Sequence, residues 1–171
     1  PPALSLAMDT STSLPLVTQL AQALTGRGWM MTTAESCTGG LIAGACTELA
    51  GSSLWFDRGV VTYSNEAKVD LLGVPAELIA QHGAVSEPVA MAMAQGALAR
   101  SKAQIAVAVT GVAGPGGGSP DKPVGTVWLA WACHDGLVQA ERHVFGGDRA
   151  AVRSATVRCA LQGVLHRSGL I

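Results

Sequence analysis

The chain has 171 residues, a single-domain length that buries about two thirds of the unfolded surface without a metal or disulfide staple. Hydrophobic residues reach 49%, charged residues 13% and aromatics 4%, with 21 glycines. That balance excludes disorder and describes a tightly packed α/β protein of small side chains. The formal net charge is −1 and the eleven Lys and Arg residues are scattered, so nucleic acid is not an expected partner. No apolar run is long enough to cross a membrane.

Residues 1–13 lack a basic start and a continuous apolar core, so they read as a short tail rather than a signal peptide, and the domain is expected over 14–168. From Leu14 to Gly28 the spacing of Leu14, Val17, Leu20, Ala21 and Leu24 predicts an amphipathic helix ending at Gly26 or Gly28. Residues 29–33 read as a buried strand, 36–49 as helix, 59–64 as strand and 65–72 as helix again. Two more helices are expected over 75–82 and 88–100, the second capped by Ser86.

Residues 105–109 form a β-branched apolar run of the kind a doubly covered central strand requires. The segment from Gly111 to Pro123, with five glycines and three prolines, is a loop. Strands follow over 124–132 and 137–145, joined by a His134-Asp135-Gly136 hairpin. A last helix begins at Asp148. Alternating strands and helices ending in a hairpin make one layered α/β domain with a mixed sheet.

Four segments have the residue types for chemistry. In Thr33-Ala34-Glu35-Ser36-Cys37-Thr38-Gly39-Gly40, a strand runs into a helix start, where free backbone N–H groups favour anions. A serine there would attack a carbonyl beside ready-made oxyanion donors, although serine at such a position also serves as a plain cap. Cys37 is a rival nucleophile, with a buried inert thiol as the commoner role. In Val61-Thr62-Tyr63-Ser64-Asn65-Glu66-Ala67-Lys68, a lysine stands in the first helical turn. There the helix dipole opposes its charge and favours the neutral form that a general base needs. A solvated surface lysine is the alternative.

The run Thr110-Gly111-Val112-Ala113-Gly114-Pro115 leads from the central strand into glycines that let backbone approach a ligand. It lacks the Walker and dinucleotide spacings, and a loop without function is the alternative. In Gly146-Gly147-Asp148-Arg149-Ala150-Ala151-Val152-Arg153, two arginines share a helix face and suit a phosphate or an ion pair. His82, His134, His143 and His166 fall outside these segments, which argues against a Ser-His-Asp triad and a His-ligated metal. Cys37, Cys46, Cys133 and Cys159 stand singly, without zinc-site or disulfide-framework spacing. A reducing cytoplasm is the expected location.

Taken together and in order, these segments resemble the C-terminal domain of the competence/damage-inducible protein family, the CinA C-terminal or nicotinamide-nucleotide amidohydrolase family. The resemblance runs from about Leu14 to Leu165. It implies a three-layer α/β/α fold, a stand-alone type without the large N-terminal domain of some relatives, and a homodimer or higher homo-oligomer. It also implies a metal-independent, cofactor-free deamidase converting nicotinamide mononucleotide to nicotinic acid mononucleotide and ammonia. In that reading Ser36 and Lys68 match a serine-lysine pair with Tyr63 assisting, and Thr110, Gly111 and Arg149 match substrate-contacting positions.

The expected mechanism has neutral Lys68 taking the Ser36 proton while N–H groups of Cys37, Thr38 and Gly39 hold the oxyanion. The glycine loop, including Gly114, and Arg149 would hold the phosphate. The same features would also serve a module that binds a pyridine nucleotide without hydrolysing it.

Overall fold

The structure, a computed structural model, describes the backbone of residues 10–169. Most of the expected 1–13 tail lies outside the described residues. Helix α1 spans Thr10–Arg27, starting four residues before the expected Leu14. Pro15 therefore sits inside the helix, where its missing N–H removes one backbone hydrogen bond. Gly28, at φ +67, ends the helix, and Trp29 N–H returns to the Leu24 carbonyl.

Five strands form one mixed sheet. They are β1 (Met31–Glu35), β2 (Phe56–Val61), β3 (Ile105–Gly111), β4 (Thr126–Cys133) and β5 (Val138–Val144), in the order β2-β1-β3-β4-β5. β1 runs parallel to both β2 and β3, while β4 and β5 are antiparallel additions. The helices are α2 (Leu41–Thr47), α3 (Asn65–Leu72), α4 (Ala76–His82), α5 (Glu87–Ala99) and α6 (Arg149–Gly169).

Two apolar cores follow from side-chain alternation along the strands. Ile105, Val107 and Val109 of β3 join Val17, Leu20 and Leu24 of α1 and Val152, Leu161 and Val164 of α6. Ala106 and Ala108, pointing the other way, meet Val89, Ala90 and Met93 of α5. The sheet thus lies between two helical layers, giving the three-layer α/β/α architecture. Alanines on the α5 face allow close approach of helix to sheet, whereas α6 makes room differently. A Cβ on Gly163 would sit 2.2 Å from the Trp131 ring, whose indole N–H donates to the Ala160 carbonyl.

Several boundaries differ from expectation for local reasons. The helix expected over 36–49 begins only at Leu41, because Gly39 (φ +58) and Gly40 (φ +107) turn the chain first. β2 begins three residues before its expected 59–64 range and ends at Val61: as a half-exposed edge strand it has no continuous apolar run to mark it. Ser86 occupies the N-cap position of α5 without capping it, since its hydroxyl donates to the Gly83 carbonyl. No helix among the described residues is long and apolar enough to cross a membrane.

Candidate active site

The parallel strands β1 and β3 end side by side, and the first residue beyond β1 is Ser36. Its N–H donates to the Val109 carbonyl, which fixes the residue against the neighbouring strand. The following turn, Ser36–Gly40, is secured from beneath by Glu35. The Glu35 carboxylate is almost fully buried and accepts from Thr38 Oγ1, Ile42 N–H and Ala43 N–H. An anion at the first turn of α2 complements the helix dipole and satisfies N–H groups that otherwise lack partners. Arg153 of α6 completes the clamp by donating from Nε to the Cys37 carbonyl and from Nη2 to the Thr38 carbonyl.

Lys68 approaches from α3. Ser64 caps this helix through its side chain, which accepts from Ala67 N–H, and Gly73 closes the other end at φ +67. The lysine is only 1% exposed, which excludes the solvated-lysine alternative. Its Nζ lies 3.0 Å from Ser36 Oγ and donates to the carbonyls of Thr62 at 2.8 Å and Tyr63 at 3.3 Å. No described carboxylate lies within ion-pair distance of this ammonium. Burial therefore lowers the Lys68 pKa below the ordinary lysine value. The direction agrees with the sequence reading, but the leading cause is desolvation rather than the helix dipole.

Above the Ser36–Lys68 pair opens a cavity of about 310 Å³, the lower end of the range for small-molecule sites. Ser36, Cys37, Tyr63, Lys68, Thr110, Gly111, Gly114 and Arg149 all line it, so the cavity gathers these expected positions from four separate segments. Asn65, Ala84 and Val85 also line it and were not expected from the sequence. Asn65 follows the Ser64 cap and carries a primary amide into the site, a signal the capping pattern contained. A larger groove of about 730 Å³ between α3 and α5, lined by Leu72, Leu78 and Met91, contains no serine, lysine or cysteine.

Individual residues refine the expected roles. Thr38 and Gly39 do not line the cavity: the Thr38 side chain is turned to Glu35, and Gly39 N–H donates to the Ser36 carbonyl. The N–H groups of Cys37 and Thr38 make no hydrogen bond to another described residue. Burial pushes the Cys37 thiol up to about 11, which disfavours the thiolate a cysteine nucleophile requires. Tyr63 places its carbonyl on Lys68, but its hydroxyl lies 3.3 Å from Arg149 Nη2, at the opposite rim. Arg149 also donates from Nη1 to the Gly114 carbonyl at 2.9 Å. Thr110 is buried and its hydroxyl donates to the Ala84 carbonyl, joining β3 to the wall before α5.

A serine hydroxyl thus meets a buried lysine with no described carboxylate beside it, beneath a cavity rimmed by glycine backbone and an arginine, at the ends of two parallel strands of an α/β sheet. The chain belongs to the CinA C-terminal domain family, whose model matches residues 13–168. It is 55% identical over 155 residues to the nicotinamide-nucleotide amidohydrolase PncC of Escherichia coli K12, covering 91% of this chain and 94% of that protein. To the Pseudomonas putida protein of the same name it is 57% identical over 160 residues, covering 93% and 98%. Among solved structures, the competence/damage-inducible protein CihA of Agrobacterium tumefaciens superposes with a TM-score of 0.88 at 52% identity, covering 90% of this chain and 93% of that one.

Proposed function

We propose that this protein is a nicotinamide-nucleotide amidohydrolase that hydrolyses the carboxamide of nicotinamide mononucleotide to nicotinic acid mononucleotide and ammonia. The observation that carries the reading is the 3.0 Å contact between Ser36 Oγ and the buried, carboxylate-free Lys68 Nζ. The names of the relatives at 55% and 57% identity supply the substrate class.

In the proposed reaction, neutral Lys68 accepts the Ser36 hydroxyl proton as Oγ bonds to the carboxamide carbon. The carbonyl electrons move onto oxygen, held by the N–H group of Cys37. The carbonyl re-forms as the C–N bond breaks, Lys68 returns the proton to the departing nitrogen, and ammonia leaves. Water then attacks the Ser36 ester with Lys68 again as base, releasing the carboxylate and restoring the serine. Each step uses groups of the chain itself and needs no cofactor. At the far rim, Arg149 and the N–H groups of the glycine loop hold the phosphate, with Tyr63 supporting Arg149.

The four free cysteines fit a reducing cytoplasm. The exposed Leu54 and Val61, before and on edge strand β2, suit contact with another copy in a homodimer or larger homo-oligomer. Small-molecule turnover, rather than nucleic-acid or membrane binding, is the proposed role. The test is to incubate the purified chain with nicotinamide mononucleotide and identify the products by mass and by ammonia release. Stoichiometric acid and ammonia support the reading. Tight nucleotide binding without products would replace it with the non-catalytic binding module.

A further inference from the structure

The catalytic proposal occupies the ends of β1 and β3 and leaves unexplained a cluster at the other edge of the sheet. Glu141 and His143 stand two apart on β5, so their side chains share one face of the strand, and Cys159 reaches them from α6. His143 Nε2 lies 3.2 Å from Glu141 Oε2 and 3.6 Å from Cys159 Sγ. One donor atom from each residue lies within 4.8 Å of the other two. A surface ion pair accounts for the carboxylate and the imidazole, but not for a thiol directed at the same ring nitrogen.

The two distances from His143 Nε2 suit a metal ion. Tetrahedral Zn²⁺ with ordinary nitrogen, oxygen and sulfur bond lengths sets N···O and N···S edges of about 3.3 and 3.6 Å. The imidazole is also oriented in advance, stacked on Phe145 with ring centroids 5.2 Å apart and planes 5° apart. His143 and Cys159 are half-buried while Glu141 is exposed, so the fourth vertex opens to water.

We propose that Glu141, His143 and Cys159 form a divalent-metal site of the zinc class, completed by water, that fastens edge strand β5 to helix α6. Sulfur and imidazole nitrogen select Zn²⁺ over Mg²⁺ and Ca²⁺, which require oxygen ligands. Binding converts the Cys159 thiol to thiolate and releases its proton to solvent, while His143 binds as neutral imidazole. Cys159 lies ten residues beyond Arg149 on α6, roughly 15 Å along the helix axis, so the metal takes no part at Ser36. The expectation of no metal rested on linear spacing, and these ligands converge only when strand and helix pack together.

The test uses the full chain stripped with a chelator and titrated with Co²⁺ as the optical probe, then with Zn²⁺. One equivalent of Co²⁺ should produce thiolate-to-cobalt charge-transfer absorption and four-coordinate visible bands, which Zn²⁺ abolishes by displacement. Zn²⁺ should also raise the melting temperature. Cys159→Ser and His143→Ala should each lose the charge-transfer signal and saturable binding. Glu141→Gln, at an exposed position that does not threaten folding, should weaken binding without affecting turnover by the metal-free chain. Absence of saturable binding by the wild type, or a signal that survives both Cys159→Ser and His143→Ala, overturns the site.

Discussion

The two segments that follow the parallel strands β1 and β3 are built in opposite ways. After β1, the turn Ser36–Gly40 is packed and over-determined: residues 36–38 are buried, Glu35 holds the turn through three hydrogen bonds, and Arg153 holds two of its carbonyls. After β3, residues 115–121 of the glycine loop are exposed, and the loop is tied down at scattered points such as Gly114 to Arg149 and Lys122 Nζ to the His82 carbonyl. A nucleophile must meet its carbonyl within fractions of an ångström, so it belongs on the rigid turn. A phosphate gains more from several adjustable N–H donors, so it belongs against the loop.

This contrast sets the order of expected effects. Lys68→Met should leave the fold intact and reduce turnover by about 10³-fold, the scale of a lost general base. In the wild type, kcat/KM should rise with pH along a limb set by the depressed Lys68 pKa, below the ordinary lysine value. Stability carries the same sign. Between the depressed value and the ordinary 10.5, the unfolded chain holds the extra proton, so raising pH favours the folded state. The unfolding free energy of wild type minus that of Lys68→Met should therefore increase with pH across that window. A flat difference would place the lysine's proton affinity elsewhere.

Removing the support of the rigid turn should come next. Glu35→Ala strips the acceptor from Thr38, Ile42 and Ala43, and should cost about 3 kcal/mol in urea unfolding, with kcat falling more than KM rises. At the recognition end the split should reverse. Arg149→Ala should raise KM about 10- to 100-fold, the worth of a hydrogen bond to a charged group, with kcat changed far less. The smallest effect is expected from Tyr63→Phe, under about tenfold, because its hydroxyl touches Arg149 and neither Ser36 nor Lys68. Near-complete loss of kcat in that variant would instead make Tyr63 a proton relay and erase the division between the two segments.

What was legible in the sequence follows the same physical line. Helix α3 has the limits expected from the sequence, which put Lys68 near the helix start, and in the structure Ser64 and Gly73 mark its two ends. The central strand β3 was legible from its β-branched run, though it extends through Gly111. Ser36, Lys68, the glycine loop and Arg149 each carried a local signal, and the structure gathers them around one cavity. Long-range partners were not legible. Glu35 stood inside a segment singled out for Ser36, yet its function as an internal anchor depends on α2 folding back over it. Arg153 was read as one of a phosphate-suited pair, whereas it spends its guanidinium on the carbonyls of Cys37 and Thr38. The leading cause of the Lys68 shift was hidden for the same reason: a helix start shows in sequence, but burial is a property of everything packed around it.

The central claim is that Ser36 is the nucleophile on a preformed turn. The most direct measurement compares Ser36→Ala with wild type for both ammonia release from nicotinamide mononucleotide and equilibrium binding of that nucleotide. The expected result is loss of ammonia release with binding retained within a few-fold. Ammonia release by Ser36→Ala at a rate near that of the wild type would contradict the account.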